Sequence, residues 1–347
     1  MQPFLLALLA ALLFGAATPA SKILLADIDL VQLAGWLYLG AAAGVAPAIM
    51  RGGWLASARR MGRKNLGRLA GAVLFGGILG PITLLLGLRL ASAGSVSLWL
   101  NLELVATVLL GHFLFREPLG PRGWVAAAGV ITASALLTAG ESAGGLAAGA
   151  LVALACLLWG LDNHLTALID AITPAQSTFW KGLAAGVFNL ALAAILGSAR
   201  PELHVALSAI AVGAVSYGAS IALYITAAQQ LGATRAQMVF AGAPFFGAGL
   251  SALALSEPPA IVHFVAAGLL AVSLSLLFRD HHDHVHTHEA VEHEHRHRHD
   301  DGHHLHEHSA LPAIRWHSHR HRHQEQTHRH AHWSDLHHRH SHSADKS

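Results

Sequence analysis

Long apolar runs separated by short polar connections fill the chain as far as Phe278, and the pattern then changes abruptly at Leu277-Phe278-Arg279-Asp280. Ten runs are long enough to cross a bilayer: Phe4–Leu25, Leu30–Met50, Gly67–Leu88, Ala93–Phe115, Pro121–Ala139, Leu146–Leu168, Ala175–Gly197, His204–Ala228, Thr234–Leu255 and Pro259–Phe278. A hydrocarbon core about 30 Å thick takes roughly 20 helical residues, and only helices or closed barrels satisfy the backbone there. Runs this long, rich in Leu, Ala and Gly, exclude the ten-residue alternation of a barrel. The pattern therefore predicts an all-α integral membrane protein of ten transmembrane helices. The many Gly and Ala residues allow close helix–helix approach.

Met1 to Ala20 has the apolar run and small-residue end of a secretory signal but no positive n-region. Its Leu12-Leu13-Phe14-Gly15 recurs as Leu157-Leu158-Trp159-Gly160 inside another long apolar run, so the segment is expected to remain as the first helix.

Charge sets the orientation. With ten alternating helices, one side carries Arg51, Arg59, Arg60, Arg63, Lys64, Arg68, Arg116, Arg122, Arg235 and Arg279, and the other only Lys22, Arg89 and Arg200. The expectation is a multi-pass protein of the inner (cytoplasmic) membrane with both termini cytoplasmic.

The two halves repeat. Gly15 matches Gly160, Trp36 matches Trp180, Gly80 matches Gly218, Gly94 matches Gly232, and Glu117-Pro118 matches Glu257-Pro258, at offsets of 138 to 145 residues. Each half holds five helices, an odd number, so the second copy is expected upside down relative to the first. The predicted units are 1–140, 141–279 and a tail, 280–347. Inverted repeats are an architecture of secondary transporters, with the substrate site near the midplane between them.

A Leu-Leu-Phe/Trp-Gly opening, a Glu-Pro after the fourth helix of each half, and the five-plus-five arrangement resemble the EamA family of the drug/metabolite transporter superfamily, from Phe4 to Phe278. The resemblance implies ten helices, cytoplasmic termini and export or exchange of small solutes. The first half departs from the pattern with Glu103-Leu104 where the second has Ala243-Pro244, and the tail is not general to the family.

Ionisable groups in a bilayer are costly, at least about 2.5 kcal/mol at the helix centre, so they face protein or water. Glu103 falls near the middle of the fourth helix, with Thr107 one turn on and Asn101 nearby. It suits a proton-coupled carrier or a cation ligand; the plain alternative is a carboxyl hydrogen-bonded between helices. Asp162, Asn163, His164 and Thr166 cluster in the sixth helix, Asp162 and Thr166 on one face and His164 on another. Lys181 in the seventh helix lies at the depth of Asp162, as a structural clamp or a gate. Gly76-Gly77-Ile78-Leu79-Gly80-Pro81 and Gly213 to Gly218 are Gly-interrupted stretches at corresponding places in the two halves, a pointer to a midplane site that Tyr217, Ser220 and Tyr224 would line. His112, His204 and His263 fall near helix ends, where interfacial roles are commoner.

Of 28 histidines, 24 lie in the last 67 residues. They alternate with other residues at His284, His286 and His288; His293, His295, His297 and His299; His317, His319, His321 and His323; His328, His330 and His332; and again at His337, His338, His340 and His342. Interspersed charge and few aliphatics forbid a packed core, so a disordered tail is expected. Imidazole without thiolate suits Ni, Co, Zn or Cu(II) in several loose sites, and no cofactor is required. A pH-sensing tail and a plain solvated linker are the other readings.

Lone Cys156 rules out a disulfide framework, no basic face marks a nucleic-acid partner, and no nucleophile elbow, phosphate loop or HExxH motif marks an enzyme. Three functions remain: a secondary, ion-gradient-coupled exporter of a small solute with a metal-responsive tail; a divalent-metal (Ni, Co or Zn) efflux carrier; or a membrane-anchored metal buffer or sensor. Oligomeric state stays open, a homodimer included.

Overall fold

In the computed structural model, residues 2–50, 61–115, 119–141, 144–169, 172–231 and 233–278 are described, and in the tail 282–288, 292–297, 317–322 and 326–332. Contacts divide the chain into two units, Met1–Asp280 and His281–Ser347. Among the described residues of the first unit, nine helices are long and apolar enough to span a membrane: α1 (Gln2–Leu24), α2 (Leu30–Met50), α3 (Arg63–Leu90), α4 (Ala93–Leu114), α5 (Pro121–Gly140), α6 (Gly145–Ala167), α7 (Pro174–Ile195), α8 (Leu203–Ala228) and α9 (Ala236–Ala254). A shorter apolar helix, α10 (Ile261–Leu277), follows. The apolar pattern places the third helix from Gly67; the structure starts it at Arg63. Arg68 thus sits inside its first turns, where Nη1 donates to Asn65 Oδ1 at 3.0 Å and Leu168 O at 2.5 Å.

Local chemistry fixes the ends. Thr173 and Gln176 form a reciprocal capping box with Pro174 in the first turn of α7. Ser92 caps α4 through Ser95 N. Large apolar side chains stay outward on many faces, among them Leu146, Ile195, Leu253 and Ile261, as lipid contact requires.

The packing has a regular logic. α3 packs on α6 and α7, while α8 packs on α1 and α2; α4 packs on α6, and α9 on α1. The third and fourth helices of each half therefore lean on the opening helices of the other. α2 and α7 pack together, as do α5 and α10. Glycine permits the closest approaches: a Cβ at Gly40 would run into Ile210 O, and one at Gly44 into Ala214 O, both of α8.

In the tail unit the described backbone is paired, where composition predicts disorder. β1 (His282–His288) pairs antiparallel with β4 (Gln326–His332), and β2 (Glu292–His297) with β3 (His317–Arg322). Histidine at every second residue has the side-chain period of a strand, which explains the pairing. Each ribbon has only two strands, an arrangement marginally stable in water.

Candidate functional site

Two helices of the membrane unit change their winding at equivalent places. A π-helical stretch, Val73–Leu79, lies within α3, and a second, Gly213–Ala219, within α8, an offset of 140 residues. These are the two Gly-interrupted segments read from the sequence. Single-turn π segments are rare and frequent at functional sites. In α3, Gly80 N donates to Phe75 O, five residues back, and Pro81 offers no N–H to the carbonyls that follow. Side chains from three other helices take them instead. Gly76 O accepts from Tyr38 Oη of α2 and from Trp159 Nε1 of α6 at 2.9 Å; Gly77 O accepts from Asn189 Nδ2 of α7 at 3.0 Å. In α8 the stretch is pressed on backbone, since a Cβ at Gly213 would strike Leu37 O.

Two further helices break at matching positions. α4 is interrupted at Leu100-Asn101 and α9 at Ala241-Gly242, 141 residues later. Asn101 is buried and folds back, Nδ2 donating to Leu98 O at 2.9 Å. Glu103 then falls in the first turn of the continuing helix, Leu102–Phe115.

Around Glu103 the structure gathers a polar network. Asn163 Nδ2 of α6 donates to Glu103 Oε1 and to Thr107 Oγ1, each at 3.1 Å, and Thr107 Oγ1 donates to Glu103 O at 2.9 Å. His164 Nε2 donates to Thr107 O at 2.9 Å. On the neighbouring face of α6, Asp162 Oδ2 accepts from Lys181 Nζ at 2.6 Å, and Asp162 Oδ1 accepts from Thr166 Oγ1 at 2.9 Å. Asp162 is only 4% exposed and lies against Gly76, where a Cβ would collide with its carboxylate. Glu103 feels the charges of both Asp162 and Lys181. Asn163 is exposed, whereas Asp162 and His164 on either side are buried. Chemically, the network offers one carboxylate with an amide and a hydroxyl beside it, next to a mutually neutralised ion pair.

Most of the site residues predicted within the helices thus converge. Asn101, Glu103, Thr107, Asp162, Asn163, His164 and Lys181 belong to one neighbourhood shared by α4, α6 and α7. Tyr217 and Tyr224 join a different, aromatic cluster: Phe14 meets Tyr217 edge-on at 5.6 Å and Phe240 at 5.2 Å, Tyr224 meets Phe240 at 4.9 Å, and Tyr224 Oη donates to Gln237 Oε1 at 2.7 Å. Ser220 is buried and donates to Ala10 O at 2.8 Å, tying α8 to α1. Tyr38, Trp159 and Asn189 complete the network without having been singled out. An amide in the apolar run Gly186 to Ile195 was the available signal for Asn189.

Among the described residues, no group of three or more His, Cys, Asp or Glu is placed to hold a metal ion. In the tail, the register sets His282 opposite His332, His284 opposite His330 and His286 opposite His328; in the second ribbon His293, His295 and His297 stand opposite His321, His319 and His317. His288 pairs with Gln326. His299, His323, His337, His338, His340 and His342 lie outside the described residues, as do Arg51, Arg59, Arg60, Arg116, Glu117-Pro118 and Arg279.

A helical membrane protein with a polar network at interrupted helices belongs to the transporters in design, and comparison agrees. The model of the EamA-like transporter family matches twice, over residues 1–139 and 147–279, and the chain belongs to that family. It is a transporter, not an enzyme. An uncharacterized transporter of Methanothermobacter thermautotrophicus is 25% identical over 291 residues, 78% of this chain and 84% of that protein. A solved crystal structure with 19% identity superposes with a TM-score of 0.57, covering 80% of this chain and 95% of the other, and supports the fold.

Proposed function

We propose that the chain is a secondary carrier that exports a small solute, built as two inverted five-helix repeats with both termini cytoplasmic. The double family match and the cross-packing of the two halves support the repeat, and the arginine-rich connection between α2 and α3 supports the orientation. One observation carries the mechanism: Glu103 stands at the break of α4, hydrogen-bonded to Asn163 and within the field of the Asp162–Lys181 pair. A carboxyl placed there takes up and releases a proton, or holds a cationic group, as the site turns from one side to the other. Asn163, the exposed member, is where an entering solute first meets the network.

The test is flux into sealed vesicles, comparing amino acids and other metabolites with divalent ions, with and without a pH gradient. Glu103→Gln keeps an acceptor for Asn163 but not the charge. It is expected to cut gradient-driven flux at least tenfold while leaving the protein folded. Undiminished coupled flux in Glu103→Gln would remove Glu103 from the mechanism.

Efflux of a divalent metal is the second reading, favoured by the facing histidines of the tail ribbons. On that reading, expression lowers cytoplasmic Ni, Co or Zn, and the vesicle assay shows metal flux. Metal bound by the tail without any flux would instead make the chain a membrane-anchored buffer.

A further inference from the structure

The end of the bundle remote from Arg63 is closed by a polar cluster that the central network does not explain. There α3 and α4 are joined only by Ala91 and Ser92. Lys22 of α1 donates Nζ to Leu88 O at 2.5 Å and Ala91 O at 2.9 Å. Glu141, just past α5, accepts from Ser92 Oγ at 2.5 Å and Ser92 N at 3.4 Å. Partial burial pushes the Glu141 carboxyl up, but hydrogen bonds from Ser92 and Ser95 outweigh it, so it sits below its ordinary value.

Two more groups reach α4 from the other half of the chain. Glu257, in the connection between α9 and α10, accepts from Ala93 N at 3.3 Å and Gly94 N at 3.2 Å. His263 Nδ1 accepts from Ala260 N at 3.2 Å. The neutral ring therefore carries its proton on Nε2 and donates to Ser95 Oγ at 3.1 Å. Lys22, Arg89, Ser92, Glu141 and Glu257 line one open cleft of about 260 Å³ at this end.

Beneath the cluster lies a seam of small residues. A Cβ at Gly247 of α9 would approach Ser97 Oγ of α4 to 2.7 Å and Gly15 O of α1 to 2.9 Å. The space left between α1, α4 and α9 there is about 10 Å³, room for no more than a water molecule. On this side the protein is shut by two layers in series, a tight seam and a polar clasp above it.

We infer that Glu257 is the latch of an outer gate: its carboxylate clasps the start of α4, and release of solute to the outside requires it to let go of Ala93 and Gly94. The inference rests on the carrier reading above. Alternating access moves one repeat against the other, so the contacts that must break are those between halves. Lys22 holds the α3–α4 connection from within the first half and travels with it, and Glu141 holds it from the link between the halves. Glu257 and His263 hold it from well inside the second half and tie the two halves together at this end. Hydrogen bonds to an ionised carboxylate are strong enough to hold a closed state and few enough to be released.

The test uses the full chain in sealed vesicles, with Cys156→Ser as background and Ser97→Cys as a reporter in the seam. A membrane-impermeant maleimide is added on the side of Glu257. Glu257→Gln is expected to speed labelling of Ser97→Cys on the order of tenfold, as hydrogen bonds to a charged acceptor give way to neutral ones. Unchanged labelling in a folded Glu257→Gln protein overturns the latch. Should that variant not fold, His263→Leu removes the second clasp, and the same rise is expected; no rise again overturns it. Labelling needs no substrate, so its result is independent of flux: a carrier with normal flux and unchanged labelling refutes the latch alone, and a chain without flux refutes the carrier reading.

Discussion

Asp162 and Lys181 lie 2.6 Å apart, with side-chain exposures of 5% and 20%, in a segment otherwise made for lipid. Each charge is tolerable because the other is present. Removing one partner of a buried pair strands the other, at a cost of roughly 3–5 kcal/mol, whereas replacing both is often close to neutral. Asp162→Asn and Lys181→Met should therefore each destabilise the protein by at least about 2 kcal/mol, allowing for the partial exposure of Lys181. The double variant should recover most of that loss. Unfolding in mixed detergent–SDS micelles reads the three values. Flux then separates a clamp from a gate: a clamp regains transport in the double variant, and a gate does not. The pair itself was legible in the sequence, because two charges at one depth in adjacent antiparallel helices have few other partners. Tyr38 and Trp159 were not legible, since an aromatic in an apolar helix gives no sign of the carbonyl it will meet.

At the scale of the helix, Pro81 explains more than any other residue. It removes one N–H from α3 and, together with the five-residue bond from Gly80 N to Phe75 O, leaves the carbonyls of Gly76 and Gly77 to donors from α2, α6 and α7. Asn189 is fully buried and its Oδ1 has no partner, so the residue is held in the membrane by its one bond to Gly77 O. Asn189→Leu leaves that carbonyl unsatisfied and should cost about 1–3 kcal/mol, reduced somewhat because the orphan Oδ1 goes too. Restoring a backbone donor with Pro81→Ala in the same chain should return much of the loss. A double-mutant cycle by unfolding measures it, and strict additivity of the two changes would break the link drawn between Pro81 and Asn189. The π segments fall on the Gly-interrupted stretches matched between the two halves, whereas the breaks in α4 and α9 lie inside runs that the apolar pattern reads as continuous. The conformation of the π segments was not legible, because it depends on which neighbours fill the space: polar donors against Val73–Leu79, and the backbone of α2 against Gly213–Ala219.

The whole molecule joins two solvents in one chain, and its parts answer to different physics. The all-helical membrane architecture and the family follow from apolar run lengths and matched motifs, since a bilayer leaves the backbone so few choices. The tail escapes that constraint; its composition speaks of water and imidazole, and its strand pairing comes only from the period of the histidines. A tail of this kind can regulate a carrier or feed it, and truncation after Phe278 distinguishes the two. A regulatory tail predicts that the shortened chain keeps its basal flux and loses any change of flux on adding Ni or Zn. A tail that feeds the pore predicts loss of metal flux itself at low metal concentration. Calorimetry on the full chain and the truncated one supplies the control: only the full chain should bind Ni or Zn near neutral pH. That binding should weaken as pH falls through about 6.5, where unperturbed imidazoles take up the proton that competes with the metal. Equal binding by both chains would move the metal site off the tail and into the residues before Arg279.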